Sequence, residues 1–369
     1  MTHAVQQVQA IWRAGVEAVD GEAAVARALR EDSRRPDRIL AVGKAAAAMA
    51  RAARGHFGAI DTLVVTKDGH GAGLDPDIRL IEAAHPVPDA RSLEAGRALR
   101  AAVAEMGAGS DLLLLVSGGA SALAEDPVPG RGLEDITALN RRLLAGGLDI
   151  TAMNAERRAV SRIKGGGLLA HFKGARARVL AISDVPGDDI GVIGSGIGAL
   201  PPEPGFAAET RIVASNAIAR AAAAAAARAM GLAVIAEEEA LHDALGALVR
   251  GIGARLRAMP PGVLILGGEP TVVLPDTPGQ GGRNQALALG LAGEIAGRDD
   301  LIVLVGGTDG SDGPTEAAGG IVTGATWGPG AAEALAAADS GRYLAARDAR
   351  LVTGPTGTNV MDLLIALRV

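Results

Sequence analysis

Hydrophobic and polar positions fall into a repeating block pattern along the chain. Short runs of leucine and β-branched residues end in glycine-rich polar turns, and longer alanine-rich stretches follow. Runs of four to eight such residues predict buried strands, and apolar spacing of three and four predicts amphipathic helices. The strands expected are Arg38–Val42, Thr62–Val65, Leu112–Val116, Val179–Ile182, Ile212–Ala214, Val263–Leu266, Val272–Leu274 and Leu301–Val305. The helices expected are Ala4–Ala18, Glu22–Arg30, Ala45–Arg54, Arg91–Met106, Leu133–Leu144, Ala217–Met230, Glu238–Arg257, Asn284–Ile295 and Ala331–Ala338. Strand–turn–helix alternation of this kind defines an α/β protein with mostly parallel sheets. Such sheets bind ligands beyond the carboxyl ends of their strands. The proline-rich stretch Ile197–Phe206 reads as a linker, so two domains are expected, 1–205 and 206–369. A softer break falls at Met259–Gly262.

Composition narrows the chemistry. The 369 residues contain no cysteine, which excludes disulfides, thiolate metal sites and a thiol nucleophile. The six histidines have no paired metal-binding spacing. A formal charge of −6 with 2% aromatics argues against a nucleic-acid surface or a base-stacking platform. No apolar run reaches membrane-spanning length, and the first residues lack a basic segment leading into an apolar core. The expectation is a cytoplasmic protein without nucleic-acid or membrane partners. Only four of the 36 lysine and arginine residues are lysines, so a lysine kept in a glycine-rich turn suggests a specific role for a point charge.

Six turns carry candidate chemistry. Gly43-Lys44 joins a strand to an alanine-rich helix and can neutralise an anion, although the P-loop spacing is absent. Ser117-Gly118-Gly119-Ala120-Ser121 follows a five-residue apolar run and reads as a phosphate or anion cradle. Lys164-Gly165-Gly166 reads as a second cradle. The acidic turn Asp184 to Asp189 suits magnesium, which takes one or two carboxylates besides water and phosphate. Arg283-Asn284 opens a helix, where a guanidinium can clamp a carboxylate or a migrating phosphoryl group. The segment Gly306–Thr315 offers Asp309 and Asp312 as further metal candidates. Each is also readable as an ordinary turn, cap or solvated loop. Together, cations in some turns and carboxylates in others describe phosphoryl transfer.

The motifs AVGKAA, HPVPDARSLEAG, VSGGASAL, SRIKGGGLLA, ISDVPGDDIGVIGSG, GGEPTVVL, GGRNQ, GGTDGSDGPTEAAG and GPTGTNVMDLLIAL occur in this order from about Val42 to Leu367. This series resembles the type II glycerate 2-kinases, which join a DUF4147 region to a MOFRL region. The resemblance implies two α/β domains, the larger Rossmann-like and the MOFRL-like part beginning near 262, with the active site in the cleft between them. It implies phosphorylation of D-glycerate at the 2-hydroxyl to give 2-phosphoglycerate, with ATP and Mg2+. Matched to the family's motifs, Lys44 and Arg283 take the catalytic positions. The assignments of Ser117, Gly118, Gly119, Ser121, Lys164, Gly165, Gly166 and Asn284 to substrate or phosphate, and of Asp184, Asp189, Asp309 and Asp312 to metal, rest on the turn chemistry above.

Some positions depart from the family pattern. Ile197-Gly198 stands where the family reads Pro-Thr, and several dozen residues that usually follow are absent. Ala159, Ala286 and Met361 replace a usual histidine, glutamate and asparagine. These departures leave open a kinase of another small hydroxy acid, or a catalytically silent ligand-binding relative. Some family members carry a hydroxypyruvate reductase name, but no strand here is followed by the GxGxxG dinucleotide fingerprint. The expected partners are ATP and a hydroxy acid, with a homodimer as the one assembly considered.

Overall fold

The computed structural model describes residues 2–32, 34–145 and 150–369. These form two compact units, and the chain enters one of them twice. Residues Gly21–Ser215 make the first unit, while Met1–Asp20 and Asn216–Val369 together make the second. The expected break at 205/206 therefore misses both crossings. The proline run lies before the last strand of the first unit, and the first helix belongs with the C-terminal half.

In the first unit the strands are β1 (Arg38–Val42), β2 (Asp61–Lys67), β3 (Arg79–Ala83), β4 (Asp111–Val116), β5 (Arg176–Ile182) and β6 (Ala207–Ala214). They form one sheet in the order β3-β2-β1-β4-β5-β6, with every neighbouring pair parallel. This is the doubly wound Rossmann order, with the direction of travel reversing between β1 and β4. Register places Leu40 between Leu63 and Leu114. Leu112 to Leu115 are fully buried, as expected where helices cover both faces of a parallel sheet. Each such leucine contributes roughly 1.5–3 kcal/mol of burial. Helix Ala46–Phe57 packs through Ala46, Ala47, Ala50 and Ala53, whose small side chains let it lie close to its neighbours. Helix Ala90–Ala104 starts at Asp89, whose carboxylate accepts from the Arg91 and Ser92 amides.

The second unit holds β7 (Val234–Glu239), β8 (Gly262–Gly268), β9 (Leu301–Gly307), β10 (Gly319–Thr323), β11 (Arg350–Leu351) and β12 (Asp362–Arg368). Their order is β11-β10-β9-β12-β8-β7. Only β7 and β8 pair in parallel; β12 runs antiparallel to both of its neighbours. Helix Thr2–Ala18 buries Val8, Ile11 and Trp12, and Trp12 Nε1 donates to the Gly306 carbonyl at 3.4 Å. It crosses helix Asn216–Ala229 at Gly15, where a Cβ would lie 2.9 Å from the Ala219 carbonyl oxygen.

Two expected elements differ. Val272–Leu274 is not a strand, and Val273 is 97% exposed. The helix expected over Glu238–Arg257 begins only at Leu245, because Val234–Glu239 is an edge strand against β8.

Candidate functional site

In the first unit, the turns after β1 and β4 are tied together. Gly43 has φ +127°, and a Cβ there would collide with Ser117. The Lys44 amide donates to the Gly118 carbonyl at 2.9 Å, and the Ala45 amide donates to Ser117 Oγ at 3.1 Å. The Ser117 amide returns to the Val42 carbonyl at 2.9 Å. Ser117 thus fastens one turn to the other, and its buried hydroxyl has a structural partner.

Gly118 and Gly119 form a bare backbone platform beside this junction. A Cβ on Gly118 would collide with the Asp184 carboxylate, which reaches over from the end of β5. Gly119 has φ +83°, a left-handed conformation suited to glycine. A Cβ there would lie 3.1 Å from Lys44 Cγ and 3.2 Å from His85 Nε2. Lys44, His85 and Asp184 therefore surround two adjacent glycines at the carboxyl ends of β1, β3, β4 and β5. Lys44 is half-buried, and its ammonium has no ion pair among the described residues. His85 is half-buried as well, and its ring makes no hydrogen bond among the described residues. Burial lowers the His85 pKa to about 4, helped by the charges of Lys44 and Lys67 and by His70, so the imidazole is neutral at pH 7. The peptide between His85 and Pro86 is cis. Ser121 Oγ lies 2.8 Å from Ser195 Oγ, which donates to Asn154 Oδ1 at 2.9 Å.

The second expected cradle is structural. Lys164 is buried and pairs with the buried Glu125 carboxylate, and burial lowers its pKa to about 7. The Gly165 and Gly166 amides donate to the Ser195 and Gly196 carbonyls, both at 3.0 Å. These donors are already paired within the fold, so the loop does not present them to a phosphate. Glycine is required at 166 because φ is +86° and a Cβ would lie 2.7 Å from the Leu200 carbonyl oxygen.

In the second unit, Arg283 opens helix Arg283–Glu294. Its Nε donates to Asp362 Oδ2 at 2.6 Å, its Nη2 to Asp362 Oδ1 at 3.3 Å, and its Nη1 pairs with Glu269. Burial opposes the guanidinium's charge, but Asp362 and Glu269 hold its pKa above the usual value. Burial pushes Asp362 up to about 6, although Arg283 and Asn284 stabilise its anion. Asn284 Nδ2 donates to Asp362 Oδ1 at 2.9 Å and is itself buried, so its amide supports the arginine. Sequence reasoning missed Asp362: it opens β12, within a run that otherwise reads as apolar filling.

The acidic candidates do not assemble into a metal cage. Among the described residues, no group of three or more His, Asp and Glu side chains has metal-holding geometry. Asp312 is buried and caps the helix. Its two oxygens accept from the Asn284 amide at 3.0 Å and the Gln285 amide at 2.8 Å. Asp309 accepts from the Ser311 amide and hydroxyl, and Asp189 from the Gly191 amide, as turn-forming aspartates do. Asp184 is the acidic candidate that lies against the glycine platform.

The first unit is a doubly wound α/β fold, and Lys44 with the Gly118–Gly119 pair lies at its switch point, where such sheets bind ligands. The DUF4147 model, described as a domain of unknown function, matches residues 7–231, and the MOFRL family model matches 262–362. A D-glycerate 2-kinase of Thermotoga maritima is 35% identical, over 89% of this chain and 90% of its own. A crystal structure of glycerate kinase from Thermotoga maritima has TM-score 0.92 at 32% identity and covers both chains completely. A protein of Agrobacterium vitis carrying a hydroxypyruvate reductase name is 37% identical, over 88% of this chain and 97% of its own. The chain belongs to the type II glycerate 2-kinase family, which joins a DUF4147 region to a MOFRL region. No helix among the described residues is long and apolar enough to cross a membrane.

Proposed function

We propose that this protein transfers the γ-phosphoryl group of ATP to the 2-hydroxyl of D-glycerate, giving ADP and 2-phosphoglycerate, with Mg2+ entering bound to the nucleotide. The carrying observation is Lys44, which has no ion pair among the described residues and whose side chain lies against Gly119 of the Gly118–Gly119 platform. As the bond from the γ-phosphorus to ADP breaks and the bond to the 2-oxygen forms, charge gathers on the phosphoryl oxygens and the leaving oxygen. Lys44 is placed to neutralise that charge, and the bare glycines let a phosphate approach the backbone. The hydroxyl proton passes to solvent. Magnesium that keeps most of its water needs few protein carboxylates, and Asp184 is the residue set to meet it. In the second unit, Arg283 is the residue proposed from its motif as catalytic, its guanidinium fixed by Asp362 and Glu269.

A nicotinamide-dependent reduction fits less well. The turn after β1 reads Gly43-Lys44-Ala45-Ala46-Ala47-Ala48, with one glycine where a dinucleotide fingerprint has three. The test is a pair of coupled assays on purified protein. D-glycerate with MgATP is expected to release ADP, and hydroxypyruvate is expected to leave NADH unchanged. NADH consumption without ADP release would overturn the assignment.

A further inference from the structure

Lys44 has an uncharged companion. His85, at the far end of the sheet's outer strand β3, approaches the same glycine as Lys44. Its ring is half-buried yet makes no hydrogen bond among the described residues, and buried ring nitrogens ordinarily have partners. The charged and titratable groups acting on it are Lys44 after β1, Lys67 at the end of β2 and His70 just beyond. Burial is the largest effect and these basic groups add to it, so the ring is held neutral although the Asp184 carboxylate lies at the neighbouring Gly118. A neutral imidazole beside an ammonium divides the recognition in two. The ammonium takes anionic oxygen, and the imidazole takes a group that is uncharged but forms hydrogen bonds.

We infer that His85 is a substrate-contacting residue that holds a hydroxyl of the acceptor by a neutral hydrogen bond, across Gly119 from Lys44. This assignment rests on the kinase reading above and adds to it the residue that recognises the hydroxyl. A site built to pair with a hydroxyl discriminates strongly against analogues lacking it, because its polar group is then left unpaired. His85 acts here as a hydrogen-bonding group and not as a proton store, because burial, with the basic groups Lys44, Lys67 and His70 adding to it, disfavours the imidazolium.

Three His85 variants and one spectrum test the inference. In the ADP-release assay, His85→Ala is expected to lower kcat/KM for D-glycerate by roughly 10–100-fold, with the KM for ATP little changed. His85→Gln and His85→Asn keep neutral hydrogen-bonding groups, and at least one should recover most of the loss. In the wild-type protein, adding D-glycerate alone is expected to shift the His85 ring signals in a histidine NMR spectrum. Unchanged kinetics in folded His85→Ala would overturn the contact while leaving the kinase assignment standing. Equal loss in all three variants would overturn the neutral hydrogen bond in favour of proton transfer. Absence of a spectral shift at saturating D-glycerate would overturn the contact whether or not the wild type releases ADP. Failure of wild-type ADP release despite a shift would count against the kinase reading alone.

Discussion

Replacing Lys44 by alanine separates the proposed chemistry from ordinary folding roles. The backbone link is retained, because any residue other than proline supplies the amide that donates to Gly118. No ion pair is lost among the described residues, and the following helix is already rich in alanine, the best helix former. Removing the methylenes beside Gly119 and His85 should cost no more than about 1 kcal/mol at this half-buried position. The catalytic cost is larger. A unit charge about 4 Å from developing negative charge interacts by about 4 kcal/mol at an effective dielectric constant near 20. Water entering the vacated space recovers part of that, leaving about 2.7–4 kcal/mol, or a 10²–10³-fold fall in kcat. Lys44→Arg should recover little, because the larger planar guanidinium does not take the place of a compact point charge. The measurements are kcat from coupled ADP release and stability from urea unfolding. A folded Lys44→Ala protein with kcat within about threefold of wild type would refute the role.

Other outcomes follow from the same geometry. Lys164→Met should lower the urea midpoint through loss of about 3–5 kcal/mol, because Glu125 is left charged and buried, and the double change Lys164→Met with Glu125→Leu should recover most of it. Ala338 sits at φ +52°, so Ala338→Gly should raise stability by about 0.5–1 kcal/mol, the relieved strain less the added freedom of the unfolded chain, read as a higher Tm. His85 has a folded pKa depressed from 6.5 to about 4, so its contribution to stability is present above pH 6.5 and is lost as pH falls through about 4. Urea midpoints across that window should fall less in His85→Gln than in wild type, and parallel curves would contradict the assigned surroundings.

The sequence made the first sheet's central strands legible because four leucines in a row have one sensible place, between two layers of helices. It was less informative about β12, whose Asp362-Leu-Leu-Ile-Ala-Leu-Arg run has neither a strand's alternation nor a helix's spacing. The helix expected from Glu238 takes in the last two residues of edge strand β7, because glutamates have helical propensity, whereas tertiary pairing with β8 and with Arg220 decides their state. At the candidate site, Lys44 and Lys164 were indistinguishable as lysines beside glycines. What separates them is Glu125, which lies 39 positions before Lys164 and reaches it only through the fold. Asp312 likewise resembled a ligand until the helix it caps was placed, and His85 had no local signal beyond its motif.

The division of the second unit into two chain segments bears on how the protein is made. Helix Thr2–Ala18 is synthesised about two hundred residues before Asn216–Ala229, against which it packs. At roughly 5–20 residues per second, that delay is on the order of 10–40 s. Throughout it Val8, Ile11 and Trp12 lack their native cover, while all of Gly21–Ser215 is synthesised. Over that interval the nascent chain carries an apolar helix without its native cover, which makes this helix a natural place for a chaperone to hold.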